Sequence, residues 1–283
     1  MKTTLIITTY NWKEALNIVL TSVARQSKPP DEIIVADDGS TADTAALIRS
    51  WATRVRIPIQ HLWQEDRGFR LARVRNRAIA HATGDYIVLV DGDMVLHPHF
   101  LADHVKAARR GYFIQGVRLI TGAFATDRIM RTGRIDLHLL SRDIERRHHT
   151  VRSRLLSWVA FQPTHTHQKA IRGSNQAYWR DDLIRVNGFN EEMVGWGGED
   201  NEIAQRLYNV GVRRKNLKFA ALATHLYHAS RRPAGDNPNH MLLRATIEQG
   251  STRCACGLDR HMLDSNWSAE SQPEWTEKVV GGN

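Results

Sequence analysis

Cysteine is almost absent from this sequence of 283 residues, which holds only Cys254 and Cys256. A single C-x-C pair builds neither a disulfide framework nor a four-ligand zinc site, and it fits two free thiols in a reducing compartment. Long apolar runs are missing as well. No stretch approaches the ~20 residues that a membrane-crossing helix needs. Met1 to Tyr10 reads as a strand, without the apolar core or small-residue cleavage site of a secretory leader. We therefore expect a cytoplasmic protein, soluble or peripheral on the inner face of the membrane. No glycine-rich phosphate loop follows the first strand, where the chain reads Thr8-Thr9-Tyr10-Asn11. That excludes a Rossmann dehydrogenase and argues against a nucleotidyltransferase making an activated sugar.

Acid is the minority charge. Lys and Arg total 39 against 30 Asp and Glu, a formal charge of +9. Such a balance favours anionic partners: phosphates, acidic lipids or nucleic acid. A basic nucleic-acid-binding protein is the rival from another class, yet no nucleic-acid motif occurs, and the acidic strand ends described below would repel a phosphate backbone unless metal filled them. Nucleic acid is therefore not an expected partner. The 42% hydrophobic content suffices for a sizeable core.

What the chain does contain is alternation. Thr4 to Thr9, Glu32 to Ala36, Ile57 to Trp63 and Tyr86 to Val90 read as strands, separated by helical patterns through Ala15 to Val23, Ala45 to Trp51 and Leu71 to Ala80. The order predicts an α/β protein with a doubly wound, mostly parallel sheet that binds its ligand beyond the carboxyl ends of the strands. Pro98 to Arg110 reads as helix and Tyr112 to Ile120 as strand. From Thr121 to Lys169 arginines interleave with Leu, Ile and Trp, as in one or two basic amphipathic helices. These either touch an anionic membrane or acidic acceptor, or turn a solvated face outward while their apolar side joins the core. Glu199 to Val210 is a helix, Phe219 to Leu226 a strand, and helical character returns at Met241 to Gln249. The last dozen residues are expected to be loose.

The strand ends carry the chemistry. Tyr86 to Val90 delivers Asp91-Gly92-Asp93, two carboxylates close enough to need a cation, a proton or solvent between them. The plainer reading is an ordinary Asp-Gly-Asp turn. Thr9, Tyr10 and Asn11 close strand one with a ring able to stack on a base and an amide able to cap the next helix. Asp37-Asp38-Gly39-Ser40 closes strand two, where a carboxylate can accept from a base or a ribose, or simply form a turn. Gly68-Phe69-Arg70 with Arg75-Asn76 brings guanidinium groups that suit a phosphate. Later, Gly195-Trp196-Gly197-Gly198-Glu199-Asp200 joins an indole suited to a sugar face with two acids at a helix start, where one can take a hydroxyl proton. His225 and His228 end a late strand. Three residues apart on a strand they would face opposite sides, so at most one is expected to bind metal.

Together these stretches resemble glycosyltransferase family 2, enzymes of the GT-A fold, a Rossmann-like α/β sandwich with a D-x-D metal motif. The second half is similar to the C-terminal region of β-1,4-galactosyltransferases and chondroitin-type polymerases, which carry a W-G-G-E-D loop and a later histidine. The resemblance covers Thr4 to Pro238, with Thr8 standing where the family often has proline. It implies one GT-A domain, with residues 1–120 as its nucleotide-sugar half, 121–238 as its acceptor and catalytic half, and 239–283 as a tail. The implied reaction transfers a hexose or N-acetylhexosamine from a UDP-sugar, with inversion, to a hydroxyl of a glycan or lipid-linked acceptor, using Mn²⁺ or Mg²⁺. By the same resemblance, Thr9, Tyr10, Asn11, Asp38, Gly68, Arg75, Asn76 and Asp91 bind the donor, with Tyr10 and Asp38 on the uridine. Asp93 and His228 hold the metal. Asp200 is the general base, Glu199 orients the acceptor, and Trp196, Gly197 and Gly198 form its platform.

Overall fold

The computed structural model describes residues 1–135, 137–161, 164–168, 171–229 and 237–262. In chain order the first half comprises β1 (Thr3–Thr9), α1 (Lys13–Ala24), β2 (Glu32–Asp37), α2 (Ala42–Ala52), β3 (Ile59–Trp63), α3 (Leu71–His81), β4 (Tyr86–Asp91), β5 (Met94–Leu96) and α4 (Phe100–Ala107). It continues with β6 (Tyr112–Gly116), β7 (Arg118–Thr121), α5 (Ala123–Thr132), β8 (Ile144–Glu145), α6 (Arg154–Phe161) and β9 (Thr164–His165). The rest is β10 (Asn175–Trp179), α7 (Arg180–Arg185), α8 (Glu199–Asn209), β11 (Arg213–Leu217), β12 (Ala223–His225), α9 (Asn239–Gln249) and α10 (Asp259–Met262).

Eight strands form the central sheet in the order β3-β2-β1-β4-β10-β6-β11-β9. β1 to β4 are mutually parallel, β10 runs antiparallel between β4 and β6, and β11 is parallel to β6. The apolar runs of β1, β2 and β4 are buried on both faces, because successive side chains serve two cores. Leu5, Ile7, Ile33, Val35, Val88 and Val90 join Leu16, Val19, Ile48 and Phe100 on one side. Ile6, Ile34, Ile87 and Leu89 join Val74, Ala78, Leu183, Ile203 and Leu207 on the other. A sheet covered this way needs no polar alternation. Its register sets the strand ends level: Thr9 lies opposite Asp37, and Thr8 opposite Asp91. Since β10 runs against β4, with Asn175 opposite Val90, the turn that precedes β10 arrives at this same edge.

A second sheet, β5-β12-β7-β8, crosses beside the first. The continuous strand expected from Tyr112 to Ile120 is divided at Val117, β6 staying in the large sheet and β7 joining the small one. The strand expected from Phe219 is shortened to Ala223–His225, since Phe219 and Ala221 adopt positive φ of 58° and 46° and break the extended run. β11 was not expected. Its sequence RRKNL lacks apolar alternation, yet Arg214 is fully buried and Lys215 lies 4.6 Å from the Phe161 ring centroid. In α6 the apolar side faces outward: Leu155 and Trp158 are 70% and 65% exposed while Ser157 is buried. That arrangement departs from a helix whose apolar side joins the core. The helical character expected at Met241 to Gln249 is found as α9, while the last dozen residues, expected to be loose, lie outside the described ones.

Candidate active site

The level strand ends form one rim. Thr8 Oγ1 donates to Asp91 Oδ1 at 3.0 Å, and the backbone N–H of Asp38 donates to the Thr9 carbonyl at 3.0 Å. Gly92 turns the chain after β4 with its N–H 2.7 Å from the Thr8 carbonyl. A Cβ there would stand 2.8 Å from that oxygen, so no other residue fits without displacement. Asp37 is spent inside the protein, accepting from His61 Nε2 and the Ser40 N–H. Asp38 accepts from Gln64 Nε2 at 2.5 Å and the Arg70 N–H at 2.8 Å, and burial pushes its carboxyl above the usual range despite them. The Tyr10 hydroxyl donates to Asp66 at 2.9 Å, and Gly68, with φ of 81°, bends the same loop. Asn11 does not cap α1, which starts after Trp12. With φ of 46°, it instead accepts from the Thr41 N–H through Oδ1 and ties the turn after β1 to the turn after β2.

Behind this rim lies a guanidinium shared by three carboxylates. Arg75 of α3 is 1% exposed. Its Nη1 is 2.9 Å from Asp200 and 3.5 Å from Glu199, and its Nη2 is 3.4 Å from Asp91. Burial works against the Arg75 charge, and Asp200, Asp91 and Glu199 outweigh it, so the group is held more firmly protonated than in water. Asp200 also accepts from the Gly173 N–H at 2.6 Å. Gly173 closes the turn before β10, and a Cβ on it would lie 2.2 Å from Asp200 Oδ1. Glu199 is different. Burial first, and then the Asp200 charge, push its carboxyl up to about 8, and its Oε2 is buried without a partner. Burial likewise raises Asp91, with Arg75 opposing.

The loop before α8 brings these acids into place. Gly195, Gly197 and Gly198 all take positive φ, and Gly198 is the residue from which the helix starts. The Gly195 N–H donates to the Phe69 carbonyl at 2.9 Å, joining this loop to the one after β3. Trp196 presents its side chain at 42% exposure, while the amides of Asn237 and Asn239 hold the carbonyls of Trp196 and Gly197. Asn76 departs from the expected donor contact. It is fully buried, donating to the Phe189 carbonyl and Glu191 and accepting from the Phe189 N–H, so its amide is consumed in fixing the chain ahead of this loop.

Asp93 faces away from Arg75 towards two imidazoles. His228 Nε2 is 3.2 Å and His225 Nε2 3.5 Å from Asp93 Oδ2, and one ligand atom from each of the three residues falls within 4.8 Å of the others. The expectation that the two histidines face opposite sides fails for a topological reason. β12 pairs antiparallel with β5, which begins directly after Asp93, so His225 lies opposite Met94. The strand ends there, the Leu226 N–H binds the Asp93 carbonyl at 3.0 Å, and the chain turns to return His228 to the same side. Burial lowers His225, which favours the neutral imidazole that ligates metals. The donors suit a divalent cation: Asp93 Oδ1 and His225 Nδ1 are buried without a partner, and a carboxylate with two imidazoles suits manganese as well as zinc. Asp91 stands outside this group. Sequence reasoning missed Gly173 altogether; the sole signal for it was a turn-forming Gly-Ser-Asn ahead of a strand.

The model of glycosyl transferase family 2 matches residues 4–167, and one described as the N-terminal domain of galactosyltransferase matches residues 158–229. Validoxylamine A glucosyltransferase of Streptomyces hygroscopicus subsp. limoneus is 30% identical over 223 residues, which cover 73% of this chain and 48% of that protein. Chondroitin synthase of Escherichia coli is 25% identical over 276 residues, covering 86% of this chain and 38% of that one. The chain thus spans about half the length, or less, of these relatives. Among solved structures, a mannosyltransferase of Pyrobaculum calidifontis in complex with GDP-Man and Mn²⁺ aligns with a TM-score of 0.53 at 22% identity, over 87% of this chain and 61% of that one.

Proposed function

Since the chain belongs to glycosyltransferase family 2, as the match over residues 4–167 establishes, we propose that it transfers a hexose or N-acetylhexosamine, with inversion, from a UDP-sugar to a hydroxyl of a glycan or lipid-linked acceptor. The observation that carries this reading is the Arg75 cluster. One guanidinium draws the tip of β4, where a donor's nucleotide would end, against the start of α8, where an acceptor would rest on Trp196. Bond formation between two bound sugars needs these two groups of residues side by side.

Within the cleft the two α8 acids divide the work. Glu199, pushed up to about 8 by burial and then by the Asp200 charge, holds its proton more firmly than an ordinary carboxyl, and its unpartnered oxygen suits a hydrogen bond to an acceptor hydroxyl. Asp200 is fixed by Arg75 on one oxygen and the Gly173 N–H on the other, and each oxygen retains a lone pair for a substrate proton. We assign the general base to Asp200. Tyr10 and Asp38 would flank the nucleoside, with Thr9 and Gly68 shaping the walls by their backbones. Asp93, His225 and His228 would hold Mn²⁺, which two imidazoles and a carboxylate suit better than Mg²⁺ and which when bound supplies positive charge against the leaving diphosphate.

The test is a binding and turnover panel with the purified chain: UDP-Glc, UDP-Gal, UDP-GlcNAc, UDP-GalNAc and UDP-GlcA beside GDP- and dTDP-sugars. Selective binding of one UDP-sugar, abolished by EDTA and by Asp93→Ala, is the expected result. Binding of none, with or without metal, would sink the reading. One further observation favours a peripheral contact with an anionic membrane: the outward apolar face of α6, with Arg154 beside it. Liposome flotation should show retention on anionic vesicles that Trp158→Glu abolishes, and equal behaviour on neutral vesicles would remove the contact.

A further inference from the structure

Beside the cleft is a cavity of about 400 Å³ lined by Arg70, Arg73, Glu191, Met193, Arg260 and His261, among others. Its charges are unbalanced. Glu191, its carboxylate, is already committed, at 2.6 Å to His261 Nε2 and 2.8 Å to the Asn76 amide. Among the described residues, none of Arg70, Arg73 and Arg260 forms an ion pair with a carboxylate. Arg70 has a buried Nε with no partner. Burial first and then the Arg73 charge act against its protonated form, with Asp38 and Glu65 opposing them in part. Guanidinium groups gathered in this way gain from an anion that accepts from more than one of them.

Position connects the cavity to the reaction. Arg70 and Arg73 lie at the start of α3, the helix whose Arg75 holds Asp200. Glu191 and Met193 lead directly into the Gly195 to Gly198 loop, and the bond from the Gly195 N–H to the Phe69 carbonyl closes the two segments together. The cavity therefore sits where the loops framing the cleft meet. Its volume suits one sugar ring or a phosphate with its substituent.

We propose that this cavity is a subsite for a negatively charged group of the acceptor, a sugar carboxylate or a phosphate, adjoining the sugar that receives the transfer. The inference rests on the glycosyltransferase reading above and adds the chemical class of acceptor. Its recognition elements are Arg70, Arg73 and Arg260, with the Glu191–His261 pair as the rigid wall between them.

Calorimetric titration of the full chain with glucuronate, inorganic phosphate and, as neutral control, glucose tests it, alongside UDP with Mn²⁺ on the same samples. The expected result is binding of both anions at least ~10-fold tighter than glucose, a loss of at least ~10-fold in Arg73→Gln/Arg260→Gln, and unchanged UDP affinity, as bidentate guanidinium contacts predict. Stronger binding of glucuronate than of phosphate would assign a uronic-acid acceptor, and the reverse a phosphorylated one. Equal anion affinity in wild type and variant would overturn the subsite. So would displacement of both anions by UDP, which would give the cavity to the donor. Loss of UDP binding in every sample with anion binding retained would instead overturn the donor reading, so the two failures are distinguishable. Should the double variant unfold, Arg260→Gln alone, at an exposed position, carries the same comparison.

Discussion

Two pairs of neighbouring acids stand in this cleft, one at the tip of β4 and one at the start of α8, and each pair is split by what faces it. Asp91 turns to Thr8 and Arg75, while Asp93 turns to His225 and His228. Asp200 is gripped by Arg75 and the Gly173 N–H, while Glu199, one residue away, is buried and pushed up to about 8. Adjacency in sequence therefore says little about role. The partner across the gap decides whether a carboxylate stays charged, meets a metal or keeps its proton.

The sharpest break of the comparison is Asp200→Asn. Removing the base while leaving Glu199 in place should cut transfer by about 10²–10⁴-fold, with UDP-sugar affinity unchanged by calorimetry; normal turnover would remove the assignment. Next in size is Arg75→Met, which takes away the ion common to both pairs. Leaving Asp91, Glu199 and Asp200 uncompensated should cost about 3–5 kcal/mol in urea unfolding, and a variant as stable as the wild type would show that the three carboxylates do not depend on it.

A smaller effect is expected on the other side of the first pair. His225→Ala and His228→Ala should each weaken Mn²⁺ binding by at least ~10-fold, the lower bound set by losing even a residue that only supports a ligand, and Mn²⁺ electron paramagnetic resonance reads it directly. If only His228 mattered, the pairing of both imidazoles with Asp93 would be incidental. The last effect concerns the proton on Glu199 and is read on stability rather than on transfer. Its carboxyl is raised from an ordinary 4.5 to about 8, so between these values the folded protein holds a proton that the unfolded chain has released. That stabilisation is complete below pH 4.5 and is lost as pH rises through about 8. Asp38 and Asp91, also raised, slope the same way. The urea midpoint of wild type relative to Glu199→Gln should therefore fall between pH 5 and 8.5, a comparison that cancels the opposite slope of His97, His104, His149 and His225, whose values burial lowers.

Much of this was legible from local pattern. The apolar run of β4 followed by Asp91-Gly92-Asp93, and the glycines around Trp196, announce a buried strand and a close-approach loop in their composition alone. Tertiary pairing hid the rest. Asn76 looked available because sequence does not reveal that its amide is used up at Phe189 and Glu191. The histidine argument assumed that strand periodicity continued through His228, whereas pairing with β5 ends β12 at His225. Arg75 reads as a phosphate ligand on a basic helix, and only the packing of α8 against it reveals an internal counter-ion. β11 was invisible because its arginine and lysine are buried against aromatic neighbours, a state that no hydrophobic pattern announces.

The reach of Arg75 also bears on how the chain acquires its shape. The residue belongs to the first half, but Glu199 and Asp200 enter 124 and 125 positions later. Until they dock, the first half offers Arg75 only Asp91 of its three carboxylates. A chain cut before α8 should hold its Arg75 region loosely, open to proteolysis, and should tighten when the missing segment is supplied in trans. An unassembled active site therefore also leaves Ile203 and Leu207 of α8 out of the core they share with Ile6 and Ile34.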